Sequence, residues 1–302
     1  MDVDQWLLNS DPAIRWQVLR DLKGAPDTVV TAERARVATE GWGARLLALQ
    51  GENGQWGGGT YFPAWTSTAW TLMDLRHLGV DPTSPAARRA VSLVREHSRW
   101  EHDGERFFDG EVEPCINGMV VAIGAYFGED VTGIVDRLLV EQMDDGGWNC
   151  EQENGSVRGS FHTTIDVLEG LLEYERAIGA RPALTEARLG GQEYLLQRKL
   201  RRRLSTGEVI DPAWANLSYP PRYLYDLLRG LDYLRDAGAG PDDRMSEAVA
   251  LIRSKRGGDG RWRLDNAYPG DVHFAMDGSV GEPSRWNTLR ALRVLRWYDN
   301  AR

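Results

Sequence analysis

Apolar and polar positions along the chain recur with a helical period, in two alternating kinds. In the first kind one face is apolar and the other charged, as in "AARRAVSLVREH" and "MSEAVALIRSK". This pattern predicts half-buried helices over about 31–50, 84–98, 131–143, 185–199 and 243–255. The second kind follows each of these and is apolar on most sides, as in "CINGMVVAIGAYFG" and "TSTAWTLMDLRHLG". It predicts buried helices over about 65–78, 115–127, 161–177, 220–236 and 284–298. "SDPAIRWQVLRDL" near the N-terminus adds a sixth inner helix, and residues 2–8 supply a short outer partner. No segment shows the period-2 alternation of a half-buried strand.

Between the two kinds of helix lies a turn that recurs. It begins at Asn53, Asp103, Asp145, Thr206 and Asp259, and each carries Gly at the next position. In three of them a Trp follows: Trp56, Trp148 and Trp262. Glycine permits the reversal of the chain after a helix. The Trp is expected to lie against helix ends with its N–H bonded to a neighbour. The first inner segment and the last share a Pro-x-x-Arg-Trp and Pro-x-Arg-Trp start, and neither end carries the polar cap an open solenoid needs. The expected architecture is therefore a single all-α domain over residues 1–302, an α6/α6 toroid with inner helices around a central cavity.

Composition narrows the function. A length of 302 residues is ample for one core, and 42% hydrophobic with 27% charged residues is ordinary for a globular chain. The net charge of -9 argues against nucleic-acid binding, and the basic run "RKLRRRL" is short and local. No stretch has the ~20 apolar residues of a membrane span. "MDVDQWLLNSDP" lacks the regions of a signal peptide, so a cytoplasmic location is expected, with the two cysteines as thiols or metal ligands.

The turns "ENGQWGGGTYFPAWTSTAWTLMDLRHLG" and "MDDGGWNC" resemble the "QW" repeats of the terpenoid cyclase and protein prenyltransferase superfamily. The resemblance spans nearly the whole chain. It implies the α6/α6 toroid, an aromatic-lined cavity and an isoprenoid or similar apolar substrate. In prenyltransferase β subunits, Asp-x-Cys at one inner-helix start and a His at the next bind zinc. Here Glu113-Pro114-Cys115 resembles the first element and Phe161-His162-Thr163 the second. The resemblance thus implies a Zn2+ site of Glu113, Cys115 and His162, with Glu in place of Asp. Asp166, one turn after His162, is the alternative carboxylate, and Cys150 an extra or substitute ligand. A carboxylate, a thiolate and an imidazole with one open position suit catalytic zinc. The plainer alternative makes Cys115 a packing residue and His162 a helix cap.

Arg15, Arg222 and Arg285 stand at three inner-helix starts, each before an aromatic: Trp16, Tyr223 and Trp286. With Trp65 they form the expected substrate-binding set, the arginines holding an anionic head group. Alternatively these arginines pair with Asp11, Asp226 or Glu282. Trp65, Trp70, Trp16, Tyr126, Tyr219, Tyr223 and Trp286 are the candidates for the cavity wall. The Asp-x-Asp-Asp and Asp-Asp-x-x-Asp runs of cyclases and ionising synthases are missing. A general acid would be Asp166 or Asp109, provided burial raises its pKa. The expected function is a prenyltransferase- or cyclase-like enzyme acting as a monomer on a hydrophobic small molecule. A binding protein for an apolar ligand or peptide, and a zinc-dependent hydrolase, stand as alternatives.

Overall fold

A computed structural model describes residues 2–300 of the chain. It is all-helical: thirteen α-helices and, among the described residues, no β-strand beyond isolated bridges. They are α1 (Val3–Leu8), α2 (Pro12–Asp21), α3 (Asp27–Ala35), α4 (Gly41–Ala48), α5 (Thr68–Leu78), α6 (Pro85–His97) and α7 (Pro114–Phe127). Then follow α8 (Thr132–Val140), α9 (Phe161–Ile178), α10 (Pro182–Gln197), α11 (Leu227–Asp236), α12 (Ser246–Ser254) and α13 (Arg285–Asn300).

The two kinds of helix differ as the pattern predicts. In α5, α7 and α9 nearly every side of the first two turns is buried, whereas α6 buries only Ala87, Ala90, Val91 and Val94. The inner helices touch in succession. Trp16 and Gln17 of α2 donate to the carbonyls of Leu78 and His77 at the end of α5. Helices α7 and α9 cross at a pair of glycines, Gly118 and Gly170. Arg229 of α11 pairs with Asp166 and Glu169 of α9. Asp232 of α11 pairs with Arg290 and Arg293 of α13. Arg293 in turn donates to Gln17 of α2 at 3.0 Å, so the last inner helix meets the first.

The recurring turn has one geometry. The indole N–H of Trp56, Trp148 and Trp262 each donates, at 2.7 Å, to the carbonyl ten residues earlier: Leu46, Leu138 and Ile252. Each Trp backbone N–H donates to a threonine hydroxyl on the following inner helix: Thr68, Thr164 and Thr288. Asn53, Asp145 and Asp259 each accept from the backbone two residues on. All three indoles are fully buried. The turn is thus a clamp between an outer helix and the next inner one.

Of the boundaries that differ from expectation, three shape the interior. The outer helix at 31–50 breaks into α3 and α4 around Gly41, whose φ is +65° and where a Cβ would strike the Asp11 carboxylate. The helix at 65–78 starts at Thr68, leaving Trp65 in the preceding loop. The helix at 220–236 starts only at Leu227, capped by Asp226 accepting from Arg229 N–H. Pro220 and Pro221 explain the last case, since each removes a donor and disfavours helix before it.

That delay has a large consequence. Residues 217–226 run between α5, α9 and α13 without helix. Ser218 accepts from Arg290, Tyr219 stacks on Trp286 with centroids 4.4 Å apart, and Arg222 pairs with Asp74 of α5 at 2.9 Å. The segment divides the interior. A cavity of about 370 Å³ lies at the C-terminal ends of the inner helices. A smaller one of about 150 Å³ lies at their starts, under residues 264–278. Of the seven expected wall aromatics, Trp16, Tyr126, Tyr219 and Trp286 line the larger, while Trp65 and Tyr219 line the smaller. The larger cavity is charged as well as aromatic. No helix among the described residues is long and apolar enough to cross a membrane.

Candidate functional site at the starts of the inner helices

Pro114 opens α7, where its missing N–H costs nothing. The loop before it is pinned from two sides. Asn117 exchanges hydrogen bonds with both backbone groups of Glu111, and Arg137 of α8 donates to the carbonyls of Glu111 and Val112. Glu113 is exposed and Cys115 half-buried in consequence. From the other side, the Trp148 clamp carries Cys150 two residues beyond the indole. The Cys150 backbone N–H donates to Thr163 at 3.3 Å.

The two sulfurs meet. Cys150 Sγ lies 2.8 Å from Cys115 Sγ, and Cys115 Sγ lies 3.4 Å from Glu113 Oε2. Ligand atoms of Glu113, Cys115 and Cys150 all fall within 4.8 Å of one another. The hydrogen bond shared with Cys115 lowers the pKa of the Cys150 thiol against the pull of burial, and the Thr163 hydroxyl lowers it further. Cys115 moves upward, through its hydrogen bond to Cys150, through burial and through the nearby carboxylates. The pair therefore ionises first at Cys150.

His162 is not in this group. Its Nδ1 accepts the Tyr225 backbone N–H at 2.8 Å, and its ring stands edge-on to Trp214. Burial first, then Arg229, lowers its pKa, so it is a neutral acceptor holding the 217–226 segment. The donor atoms that face one another are thus those of Glu113, Cys115 and Cys150, the last being the expected extra or substitute ligand, while His162 lies outside this cluster. A sequence signal existed: Cys150 stands two residues after a repeat Trp, where the equivalent turns carry Gly58 and Leu264.

Asp166 lies deeper, behind the thiols. Its Oδ1 accepts from Arg229 at 2.5 Å, while the buried Oδ2 has no partner. Burial raises its pKa to about 7, against the pull of Arg229. Its charge acts on both Cys115 and Tyr61, and the charges of Cys115 and Glu113 also act on Tyr61. These four side chains thus share one neighbourhood. Asp109, the other expected acid, is exposed on a 3-10 turn and does not meet the requirement of burial.

The three arginines do not assemble into one patch. Arg15 pairs with Glu33 and donates to the Ser10 carbonyl. Arg285 lies over Trp6 and reaches the Asn9 carbonyl. Only Arg222 is central, buried on Asp74 and stacked over Trp65 and Trp70. None pairs with Asp11, Asp226 or Glu282. Of the remaining expected contacts, Trp65 donates to the Pro269 carbonyl and Trp286 to that of Met276, so both are tied into structure. Tyr223 is exposed beside Trp65 and, with exposed Phe62 and Val272, leaves an apolar rim around this end.

No protein-family model matches the chain, and no curated protein matches it. Among solved structures it is similar to the crystal structure of a protein from Actinoplanes, at 18% identity over 96% of this chain and 90% of that one, with a TM-score of 0.45. At that TM-score the likeness assigns neither fold nor function.

Proposed function

We propose that the chain is an α/α toroid of the terpenoid cyclase and prenyltransferase type, and an enzyme that works where its inner helices start. The return of α13 to α2 and the three Trp clamps support the toroid. The observation that carries the enzymatic reading is the convergence of Cys115, Cys150 and Glu113 beside a buried Asp166 of raised pKa.

The donor set fits zinc. Two thiolates and a carboxylate are its usual ligands and leave one position open. With Zn–S bonds of ~2.3 Å, a tetrahedral site spaces its sulfurs about 3.8 Å apart, so the two half-buried side chains must separate by about 1 Å. Bound there, zinc would supply Lewis acidity or hold a thiolate or water ready to react. The chain's own residues do the rest. The Thr163 hydroxyl, 3.4 Å from the Cys150 sulfur, stabilises its thiolate. Asp166 holds a proton at Oδ2, out of water, and can give it up near neutral pH. Tyr61 and Phe62 wall the approach.

The substrate class follows from the rim. The 217–226 segment fills the middle of the ring, so a long apolar chain has no deep tunnel at this end. Exposed Phe62, which packs on Tyr61, and exposed Tyr223, which packs on Trp65, instead offer an apolar surface at this end, suited to an isoprenoid or similar tail lying across the opening. The test is turnover of zinc-loaded protein with prenyl diphosphates and small thiols, read by mass spectrometry. Thioether formation that Cys150→Ala and Asp166→Asn both remove supports the reading. No product from any donor, with zinc bound, rejects it.

A further inference from the structure

The larger cavity is built for something else. It lies at the other end of the ring, where the inner helices finish. On α7, Tyr126 at this end is eleven residues from Cys115, which is about 16 Å along a helix. Its wall carries eight arginines (20, 34, 76, 176, 229, 235, 290 and 293) and four carboxylates (169, 173, 232 and 236), an excess of 8 − 4 = 4. Two more carboxylates, Asp21 and Asp166, reach these arginines from behind the wall, which still leaves 8 − 6 = 2. This positive surplus sits in a chain of net charge -9.

The pairing is also uneven. Asp232 alone meets three guanidinium groups, Arg235 at 3.1 Å, Arg290 at 3.4 Å, and Arg293. They hold its carboxyl well below the usual range, although burial pulls the other way. Arg34 makes no direct ion pair among the described residues, although its charge acts on Asp81. Its Nε donates to the Gly79 carbonyl and its Nη2 to the Tyr126 hydroxyl, both at 2.9 Å. His77, on the same wall, has a buried Nδ1 with no partner, and burial and four arginines drive its pKa far down. Helix C-termini attract cations, but only within the last turn. Arg229 is the third residue of α11, and Arg290 the sixth of sixteen in α13, so carbonyl ends do not account for them.

We infer that the arginine-lined cavity at the C-terminal ends of the inner helices binds a small phosphorylated molecule carrying at least two negative charges. Guanidinium forks suit phosphate oxygens, and a cavity of one charge sign with low-dielectric walls concentrates such ligands. A volume of about 370 Å³ is within the range of small-molecule sites and leaves room beyond a diphosphate. Trp16, beneath the guanidinium groups of Arg20 and Arg34, and Tyr219, stacked on Trp286, give the lining an aromatic part as well. Exposed Arg20 and Arg176 mark the mouth.

The test is calorimetric titration of the full chain with inorganic phosphate, pyrophosphate and a nucleoside diphosphate, with the uncharged nucleoside as control. Pyrophosphate should bind at least about tenfold more tightly than phosphate and weaken as salt rises. A nucleoside diphosphate tighter than pyrophosphate identifies an organic ligand, and equal affinity identifies diphosphate itself. Arg34→Gln should weaken pyrophosphate at least about tenfold, and Arg34→Lys should recover part of the loss; because Arg34 also donates to Gly79 and Tyr126, binding is measured well below the melting temperature of each variant. Should Arg34→Gln fail to fold, Arg20→Gln at the exposed mouth is read in its place. No binding of any anion at low salt, or binding that neither substitution alters, overturns the inference. The titration is indifferent to zinc, so its outcome is separable from that of the thiol site.

Discussion

Cys115 Sγ and Cys150 Sγ, 35 residues apart in the chain, stand 2.8 Å apart with Glu113 Oε2 at 3.4 Å from the first. This contact joins the start of an inner helix to the far side of a tryptophan turn. It leads directly to a metal prediction. Protein purified without tag or chelator should hold about one zinc per chain. Cys115→Ala and Cys150→Ala should each lose it. His162→Ala should keep it, because the His162 Nδ1 is already engaged by Tyr225. Elemental analysis of the four proteins decides. Absence of zinc from the wild type even after incubation with the metal removes the site.

Asp166 should imprint itself on the pH dependence of stability. Its pKa rises from the ordinary 3.8 to about 7 on folding. Between those values the folded state holds a proton that the unfolded state has released. Stability from this group is therefore undiminished below pH 3.8 and falls as pH rises toward 7, with a slope of at most about 1.4 kcal/mol per pH unit. Asp166→Asn still accepts from Arg229 but cannot titrate, so the wild-type and variant curves should converge in acid and separate toward neutrality. Denaturant unfolding at intervals across this window measures it. Parallel curves would show that Asp166 keeps an ordinary carboxylate pKa.

Much of the fold was legible because the sequence repeats its own grammar. Trp56, Trp148 and Trp262 mark equivalent places, and a Thr stands at the start of each following helix to receive them. Helix type followed from which faces carry charge. The site was half legible. Cys115 was visible as a thiol at an inner-helix start, and Asp166 as a carboxylate on the next inner helix. That Cys150 rather than His162 lies beside Cys115 was not legible, because side-chain direction within a loop is set by tertiary hydrogen bonds, here those of Thr163 and Tyr225. The charged cavity was invisible for a related reason. Its arginines come from six different helices, each unremarkable alone, and only the ring brings them together. Two prolines hid the filling of the centre, since their effect on one helix start decides where ten residues go.

The crossing of α7 and α9 permits a sharp packing test. A Cβ on Gly118 would lie 2.6 Å from the Asp166 carbonyl group, and one on Gly170 would run into the Gly118 carbonyl. Both obstacles are backbone, so neither can swing away. Gly118→Ala and Gly170→Ala should each cost on the order of 1–3 kcal/mol, against the small gain alanine brings to a free helix. Because α7 carries Cys115 and α9 carries Asp166, the same changes should weaken zinc binding. Thermal unfolding together with metal titration checks both. Stability equal to wild type would mean that the two helices do not approach this closely.

The tryptophan clamps separate architecture from chemistry. Trp148→Phe retains most of the buried ring but removes the indole N–H, leaving the Leu138 carbonyl without its partner. Trp262→Phe likewise removes the indole donor to Ile252, whose carbonyl keeps only the longer bond from the Lys255 N–H at 3.3 Å. Each change should cost about 1–3 kcal/mol, for the lost buried hydrogen bond and the lost ring atoms. Their effects on the site should differ. The Trp148 turn delivers Cys150, so Trp148→Phe should also weaken zinc binding. The Trp262 turn delivers Leu264, which lines the smaller cavity and carries no metal donor, so Trp262→Phe should leave zinc affinity unchanged. Unfolding and zinc competition titrations on the two proteins give four numbers. Equal stability losses with unequal metal losses identify the clamp as the positioning device for Cys150. Equal metal losses would assign the effect to general loosening of the ring.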